Sequence, residues 1–212
     1  EIAAHGSSRK YFRCQTEVVK VLAAYNSDKK ENIAFIDFAR QLKQKGINVP
    51  AIIAVDEEND IYLLEDLGNT TLFDFISSAN ENDILNIYTK IVRTLPKIQI
   101  EAGRNFDFTN AYPRKAFDSQ SLQWDLNYFK YYFLKLADIP FNEQELENDF
   151  AVLQNYLLDC NCYYLLYRDF QSRNIMLKDN YEIFFIDFQG ARKGALQYDI
   201  ASLLYDAKAN LS

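Results

Sequence analysis

Cysteine and histidine are scarce in this chain of 212 residues, which has three of the first and one of the second. Cys14, Cys160 and Cys162 are odd in number and give no disulfide framework, so a reduced, cytosolic chain is the plain expectation. Cys160-Asn161-Cys162 has the spacing of a thiolate pair, but His5 is the only histidine and no second ligand cluster exists, which argues against a structural zinc site. No apolar run approaches the roughly 20 residues that a membrane-spanning helix needs, so no membrane partner is expected. The opening Glu1-Ile2-Ala3-Ala4-His5-Gly6 lacks the basic and apolar stretches of a signal peptide. Positive charge is also short: 23 Lys and Arg face 30 Asp and Glu, a formal net charge of −7. Nucleic-acid binding rests on cations that neutralise phosphates, so no nucleic-acid partner is expected.

What is abundant is apolar and aromatic: 49% hydrophobic residues, with 15 Tyr and 16 Phe, the composition of a globular protein. The N-terminal third reads as short strands around one helix. Tyr11–Cys14 and Val18–Tyr25 are strand-like, as are Ala51–Val55 and Ile61–Leu64 across the polar turn 56–60. Between them, Asp28 and Glu31 have capping-box spacing, Phe35, Phe38, Ala39 and Leu42 recur at helical spacing, and Gly46 suits the stop. After Asp66-Leu67-Gly68-Asn69 the pattern turns helical, over 71–78, 83–99, 121–136 and 143–158. Strand character returns at 163–167 and in a hairpin, 175–177 and 182–188, before a last helix predicted over 197–209. A division follows, residues 1–66 and 67–212, with a ligand expected in the cleft between the two parts.

The chemistry concentrates in Tyr167-Arg168-Asp169-Phe170-Gln171-Ser172-Arg173-Asn174 and Ile186-Asp187-Phe188-Gln189-Gly190-Ala191. Phosphoryl transfer from ATP needs a carboxylate beside the attacking hydroxyl and hard oxygen ligands for Mg²⁺ beside the phosphates. Asp169 supplies the first as the catalytic residue, and Asn174 and Asp187 the second, since a hairpin lets residues thirteen apart return to one place. With Gly6-Ser7-Ser8-Arg9-Lys10-Tyr11-Phe12-Arg13 and Tyr198-Asp199-Ile200-Ala201-Ser202-Leu203-Leu204, these strings resemble the aminoglycoside phosphotransferase family of the protein-kinase-like superfamily. The resemblance covers nearly the whole chain. Within the family it points to bacterial cell-wall-recycling sugar kinases that phosphorylate N-acetylmuramate and N-acetylglucosamine.

The resemblance implies an α+β, two-lobed protein-kinase-like fold, with a small β-rich N-lobe carrying one helix and a larger, mainly helical C-lobe. It also implies further helices after residue 212. Gly6, Ser7, Ser8 and Arg9 take the place of the phosphate-covering loop, and Glu65, Asp66 and Leu67 that of the hinge, where backbone groups hold adenine. Arg168 and Asp199 support the catalytic loop, and Tyr167 stands where many relatives have His. The usual phosphate-binding Lys of the third strand and its helix Glu are blurred. Phe35 occupies the expected acidic position, Glu31 and Asp37 lie nearby, and the clamp falls to Lys20 or Arg9. Asp125, Arg173 and Gln189 are candidates for holding the acceptor. Trp124, Tyr128, Tyr131 and Tyr132 crowd one predicted helix and are expected to pack in the core, unless one or two wall the acceptor pocket. Only eleven residues separate Asp187 from Asp199, too few for the peptide-docking platform of a protein kinase, so no protein substrate is expected. The expected acceptor is a small molecule, an amino sugar first, with an aminoglycoside or choline-type acceptor, or an inactive nucleotide-binding regulatory module, as alternatives.

Overall fold

The computed structural model describes residues 9–17, 20–209 and 211. Gly6-Ser7-Ser8 and Val18-Val19 lie outside the described residues. Strands β1 (Lys10–Gln15) and β2 (Lys20–Tyr25) pair antiparallel, with Arg13 opposite Leu22. β3 (Ile52–Asp56) and β4 (Ile61–Glu65) complete a four-stranded antiparallel sheet in the order β1-β2-β4-β3.

Helix α1 (Lys29–Gln44) crosses between β2 and β3. Asp28 caps it by accepting from the backbone N–H of Lys30 and Glu31. The predicted reciprocal half of that box is absent, because the Glu31 side chain turns instead to Arg9 and Asn26. The helix ends where Gly46 takes φ +76, a left-handed conformation that glycine adopts without a Cβ clash. Its apolar face buries Phe35, Phe38, Ala39 and Leu42.

The C-terminal part is mainly helical. A Thr71–Asp74 capping box opens α2 (Leu72–Ile76). α3 (Glu81–Pro96) runs on through a π turn (Lys97–Ala102), and α4 (Ser119–Phe129) through another (Lys130–Leu134). α5 (Glu143–Leu158) has the predicted bounds. Four short strands follow: β5 (Tyr164–Leu166), which pairs with β8 (Arg192–Gly194), and the hairpin of β6 (Ile175–Lys178) and β7 (Glu182–Phe185). The last helix, α6 (Leu196–Leu204), stops before the predicted 209. Past its end, Asp206 accepts from the backbone and hydroxyl of Ser172. Among the described residues no helix is long and apolar enough to cross a membrane.

One apolar core joins the sheet, α1 and the C-terminal part. Phe35 of α1 stacks on Phe188 at 4.8 Å, and Phe188 packs near Tyr167. The backbone also crosses: Phe185 N–H donates to Asn48 O and Leu177 N–H to Thr70 O. The predicted aromatic run behaves otherwise. Trp124, Tyr128, Tyr131 and Tyr132 are exposed, because α4 turns Ser121 and Leu122 inward and presents the aromatic side outward. Tyr128 and Tyr132 stack on each other at 4.5 Å.

Candidate active site

β5 leads directly into the loop that carries Asp169. Tyr167 at its end is fully buried against Phe170, Phe185 and Phe188, and its hydroxyl donates to Ile186 O. This ring thus ties the loop to the hairpin. Arg168 holds φ +81, a strained conformation for a side chain of its size, costing on the order of 1–3 kcal/mol. Asp199, in the first turn of α6, holds that conformation. Its two oxygens accept from Tyr167 N–H and Arg168 N–H, each at 2.9 Å, and from Gln99 Nε2 at 2.7 Å. Asp199 has no exposed surface, and burial pushes its pKa up to about 6 despite these three donors.

Asp169, Asn174 and Asp187 are brought together by backbone. Asn174 Nδ2 donates to Asp169 O at 2.8 Å, which leaves the Asn174 Oδ1 facing elsewhere. Ile186 N–H donates to Asn174 O at 3.0 Å, so the residue before Asp187 is bonded to Asn174 itself. Asp187 turns out of β7 at φ 66, ψ 34, a left-handed conformation that Asp tolerates better than most residues. Its Oδ1 accepts from Gln189 Nε2 at 2.7 Å. Burial raises the Asp169 carboxyl above the ordinary range and the charge of Asp187 adds to this, while Arg168 and Arg192 oppose it. Among the described residues no three His, Cys, Asp or Glu side chains are clustered to hold a metal. Asn174 and Asp187 offer two hard oxygen donors of the kind Mg²⁺ uses when phosphates and water complete its shell.

Above Asp187, Arg9 is buried and its Nη2 meets Glu31 Oε1 at 2.9 Å. The guanidinium lies over the Phe35 ring and its Nη1 reaches the Tyr11 hydroxyl. Burial alone would lower the Arg9 pKa, but Tyr11, Tyr62 and Glu31 outweigh it and the net shift is upward. Phe35 in turn stacks on Phe188, the residue after Asp187, which brings this cation and its partners to the same site. Lys20 stands elsewhere: its side chain is 50% exposed and pairs with Asp66 at 3.5 Å. Asp66 also takes Arg13 and accepts from Gly68 N–H, and Arg13 continues to Asn69 Oδ1 and Gly68 O, a latch between β1 and the connector. Glu65 pairs with Lys178 at 2.7 Å and accepts from Ala51 N–H, while Leu67 packs on Met176 and Phe184. The side chains of the connector are therefore engaged in holding it. Gly6, Ser7 and Ser8 lie outside the described residues.

Of the acceptor candidates, Asp125 reaches the loop: its Oδ1 accepts from Arg168 Nη2 at 2.9 Å and its Oδ2 from the Tyr198 hydroxyl at 3.4 Å. Gln189 belongs with Asp187 instead. Arg173 makes no hydrogen bond or ion pair among the described residues, and its charge acts on Asp206. Two residues at the site went unread in the sequence, Tyr198 and Arg192. Arg192 is buried on β8 opposite Leu166. The signal for it was the period of two in Arg192-Lys193-Gly194, which turns the arginine inward with the glycine. An apolar cavity of about 610 Å³, lined by Phe117, Leu122, Leu166 and Tyr198 among others, includes none of Asp169, Asn174 or Asp187.

A four-stranded sheet with one helix, joined to a mainly helical part that carries an Asp-x4-Asn loop and a hairpin ending in Asp, defines a protein-kinase-like fold. Residues 1–211 match the phosphotransferase enzyme family, to which the chain belongs. It is 26% identical over 215 residues to an N-acetylmuramate/N-acetylglucosamine kinase of Pseudomonas aeruginosa, covering 97% of this chain and 59% of that one. A protein of the same description from Neisseria meningitidis serogroup B is 28% identical over 167 residues, 76% of this chain and 47% of its own length. The chain thus spans about half to three-fifths of the curated relatives it matches. An aminoglycoside phosphotransferase in ternary complex with ADP and hygromycin B superposes with a TM-score of 0.66 at 13% identity, covering 94% of this chain and 69% of that one. A choline kinase of Streptococcus pneumoniae gives 0.63 at 15% identity, covering 95% and 66%.

Proposed function

We propose that this protein is an ATP-dependent phosphotransferase that moves the γ-phosphate to a hydroxyl of a small molecule, an amino sugar. The observation that carries the reading is the backbone-bonded set of Asp169, Asn174 and Asp187, closed by Asn174 Nδ2 to Asp169 O and by Ile186 N–H to Asn174 O. Asp169 aligns the acceptor hydroxyl and takes its proton as transfer proceeds. Its raised pKa brings it nearer the proton it must accept, and assistance of this kind is typically worth ~10²–10⁴ in rate. Asn174 Oδ1 and the Asp187 carboxylate would hold Mg²⁺, which when bound neutralises charge on the β- and γ-phosphates. Gln189, bonded to Asp187, keeps that carboxylate oriented.

The phosphate clamp is assigned to Arg9 rather than Lys20. Glu31 holds Arg9 as a helix Glu holds the strand Lys of other kinases, and Lys20 is spent on Asp66. This pair supports an active enzyme over an inactive nucleotide-binding module. The segment from Asp187 to Asp199 is filled by a 3₁₀ turn, β8 and the start of α6, which supports a small acceptor over a protein. The amino-sugar acceptor is suggested by the two relatives described above.

The test is to incubate the full-length protein with ATP, Mg²⁺ and a panel of amino sugars, aminoglycosides and choline, and to follow ADP. Release of ADP that depends on an N-acetylated amino sugar is expected. ATP that binds without any acceptor-dependent ADP would remove the enzymatic reading, and release with choline or an aminoglycoside alone would remove the sugar.

A further inference from the structure

We propose that Arg192, beside Arg168 and Tyr198, forms a carboxylate-binding subsite on the acceptor flank of Asp169, so that the enzyme selects an acidic amino sugar over its neutral counterpart. The proposal rests on the amino-sugar reading above and names the substrate class within it.

Three cations of the described chain are deeply buried: Arg9, Lys130 and Arg192. Arg9 is paired with Glu31, and Lys130 with Glu143 and Glu147. Arg192 is 3% exposed yet makes no ion pair among the described residues, where its single hydrogen bond runs from Nε to Gly190 O at 2.8 Å. Burying a guanidinium without a carboxylate is costly, and its terminal nitrogens retain donors for a fork-shaped, bidentate partner.

The place is set by Gly190. A Cβ there would stand 3.4 Å from Asp169 Oδ2, 3.7 Å from Arg168 Cδ and 3.9 Å from Arg192 Nη2. The Arg192 fork and the Asp169 carboxylate thus converge on one point without pairing. The same Arg168 donates to Asp125, which also accepts from the Tyr198 hydroxyl. Arg192 therefore stands with Arg168, Asp125 and Tyr198 beside Asp169, the flank that the proposal gives to the acceptor. Asp125 already answers Arg168 at 2.9 Å, which leaves Arg192 as the cation with unused capacity. In a chain of net charge −7 an acidic acceptor is repelled at large, so its recognition needs such a local cation. N-Acetylmuramate and N-acetylglucosamine differ by one lactyl ether carboxylate, the group this fork would take.

The experiment measures, by calorimetry on the full-length protein with a non-hydrolysable ATP analogue, the Kd of N-acetylmuramate, its methyl ester and N-acetylglucosamine. Wild-type protein is expected to bind the acid roughly 10- to 100-fold tighter than the ester or the neutral sugar. Arg192→Gln should bind all three alike, and Arg192→Lys should keep part of the preference. The ester comparison needs no variant, so a folding defect cannot mask the answer. No preference for the acid in wild-type protein, or a preference that survives Arg192→Gln, overturns the subsite. A role confined to supporting Asp169 would lower turnover of both sugars and leave the Kd ratio intact, which also overturns it. Sugar-dependent ADP release without the preference would sink the subsite and leave the kinase reading standing. The preference without ADP release would do the reverse, and binding of neither sugar removes both.

Discussion

Replacing Asp199 by Asn separates stability from activity at this site. The carboxylate receives Arg168 N–H on Oδ1 and Tyr167 N–H with Gln99 Nε2 on Oδ2. An amide has one acceptor oxygen. Its best placement keeps Tyr167 and Gln99 and sets its NH₂ against Arg168 N–H, leaving that buried donor unmet at a cost of about 1–3 kcal/mol. Against this stands the penalty of the buried charge. A shift from 3.8 to about 6 corresponds to about 3 kcal/mol, because one pKa unit is about 1.4 kcal/mol. The sign follows from the upward direction of the shift. The unfolded carboxyl ionises first, so the contribution of Asp199 to wild-type stability is complete below pH 4 and falls away as pH rises through about 6. The two terms nearly cancel at pH 8, so Asp199→Asn should lie within about 2 kcal/mol of wild type there and compare worse at pH 4.5. Activity should not be spared. Arg168 at φ +81 loses the bond that holds it, Asp169 shifts with it, and a displacement of that kind costs on the order of 10²-fold in turnover. Urea unfolding at several pH values, beside steady-state kcat, is the assay. A deficit that is large and independent of pH, or a variant with wild-type turnover, would refute the reasoning. Wild-type kcat should also show an acid limb near pH 6, as Asp199 protonates, that the variant lacks.

Arg9→Gln should raise KM for ATP about tenfold by removing a charge-assisted phosphate contact, while Lys20→Gln moves it less than about twofold; initial rates against ATP concentration decide between the two cations. Gly194→Ala should destabilise by about 1–3 kcal/mol, because its Cβ would meet Leu166 Cδ1 at 2.3 Å in the strand that feeds the catalytic loop. Thermal unfolding measures it, and an unshifted midpoint would show that β5 and β8 separate more easily than their packing implies.

Much of this was written locally. The strands and helices of the N-terminal part follow residue alternation and caps, and the Asp169–Asn174–Asp187 set lies in one contiguous stretch with a turn inside it. What the sequence concealed depends on pairing at a distance. Glu31 has the spacing of a capping residue, and only the approach of Arg9 across 22 positions turns it into an ion-pair partner. Arg192 sits in a strand of three residues whose partner, β5, is 26 positions upstream, so the alternation that turns it inward does not say what it meets there. The aromatic run 124–132 was misread because residue type alone does not say which side of α4 faces the core: Leu122 is buried and Tyr128 is not. Pro96 stands where α3 passes into its π turn, whereas the passage after Phe129 carries no breaker that local reading would detect.

The most direct test of the central claim is Asp169→Asn, assayed for both ATP binding and phosphoryl transfer to the best acceptor of the panel. Asparagine keeps the size of the side chain and removes the proton-accepting charge. Turnover is predicted to fall by ~10²–10⁴ while the Kd for ATP stays within about threefold. Turnover equal to wild type, or loss of ATP binding together with turnover, would contradict the assignment of Asp169 as the carboxylate that meets the acceptor hydroxyl.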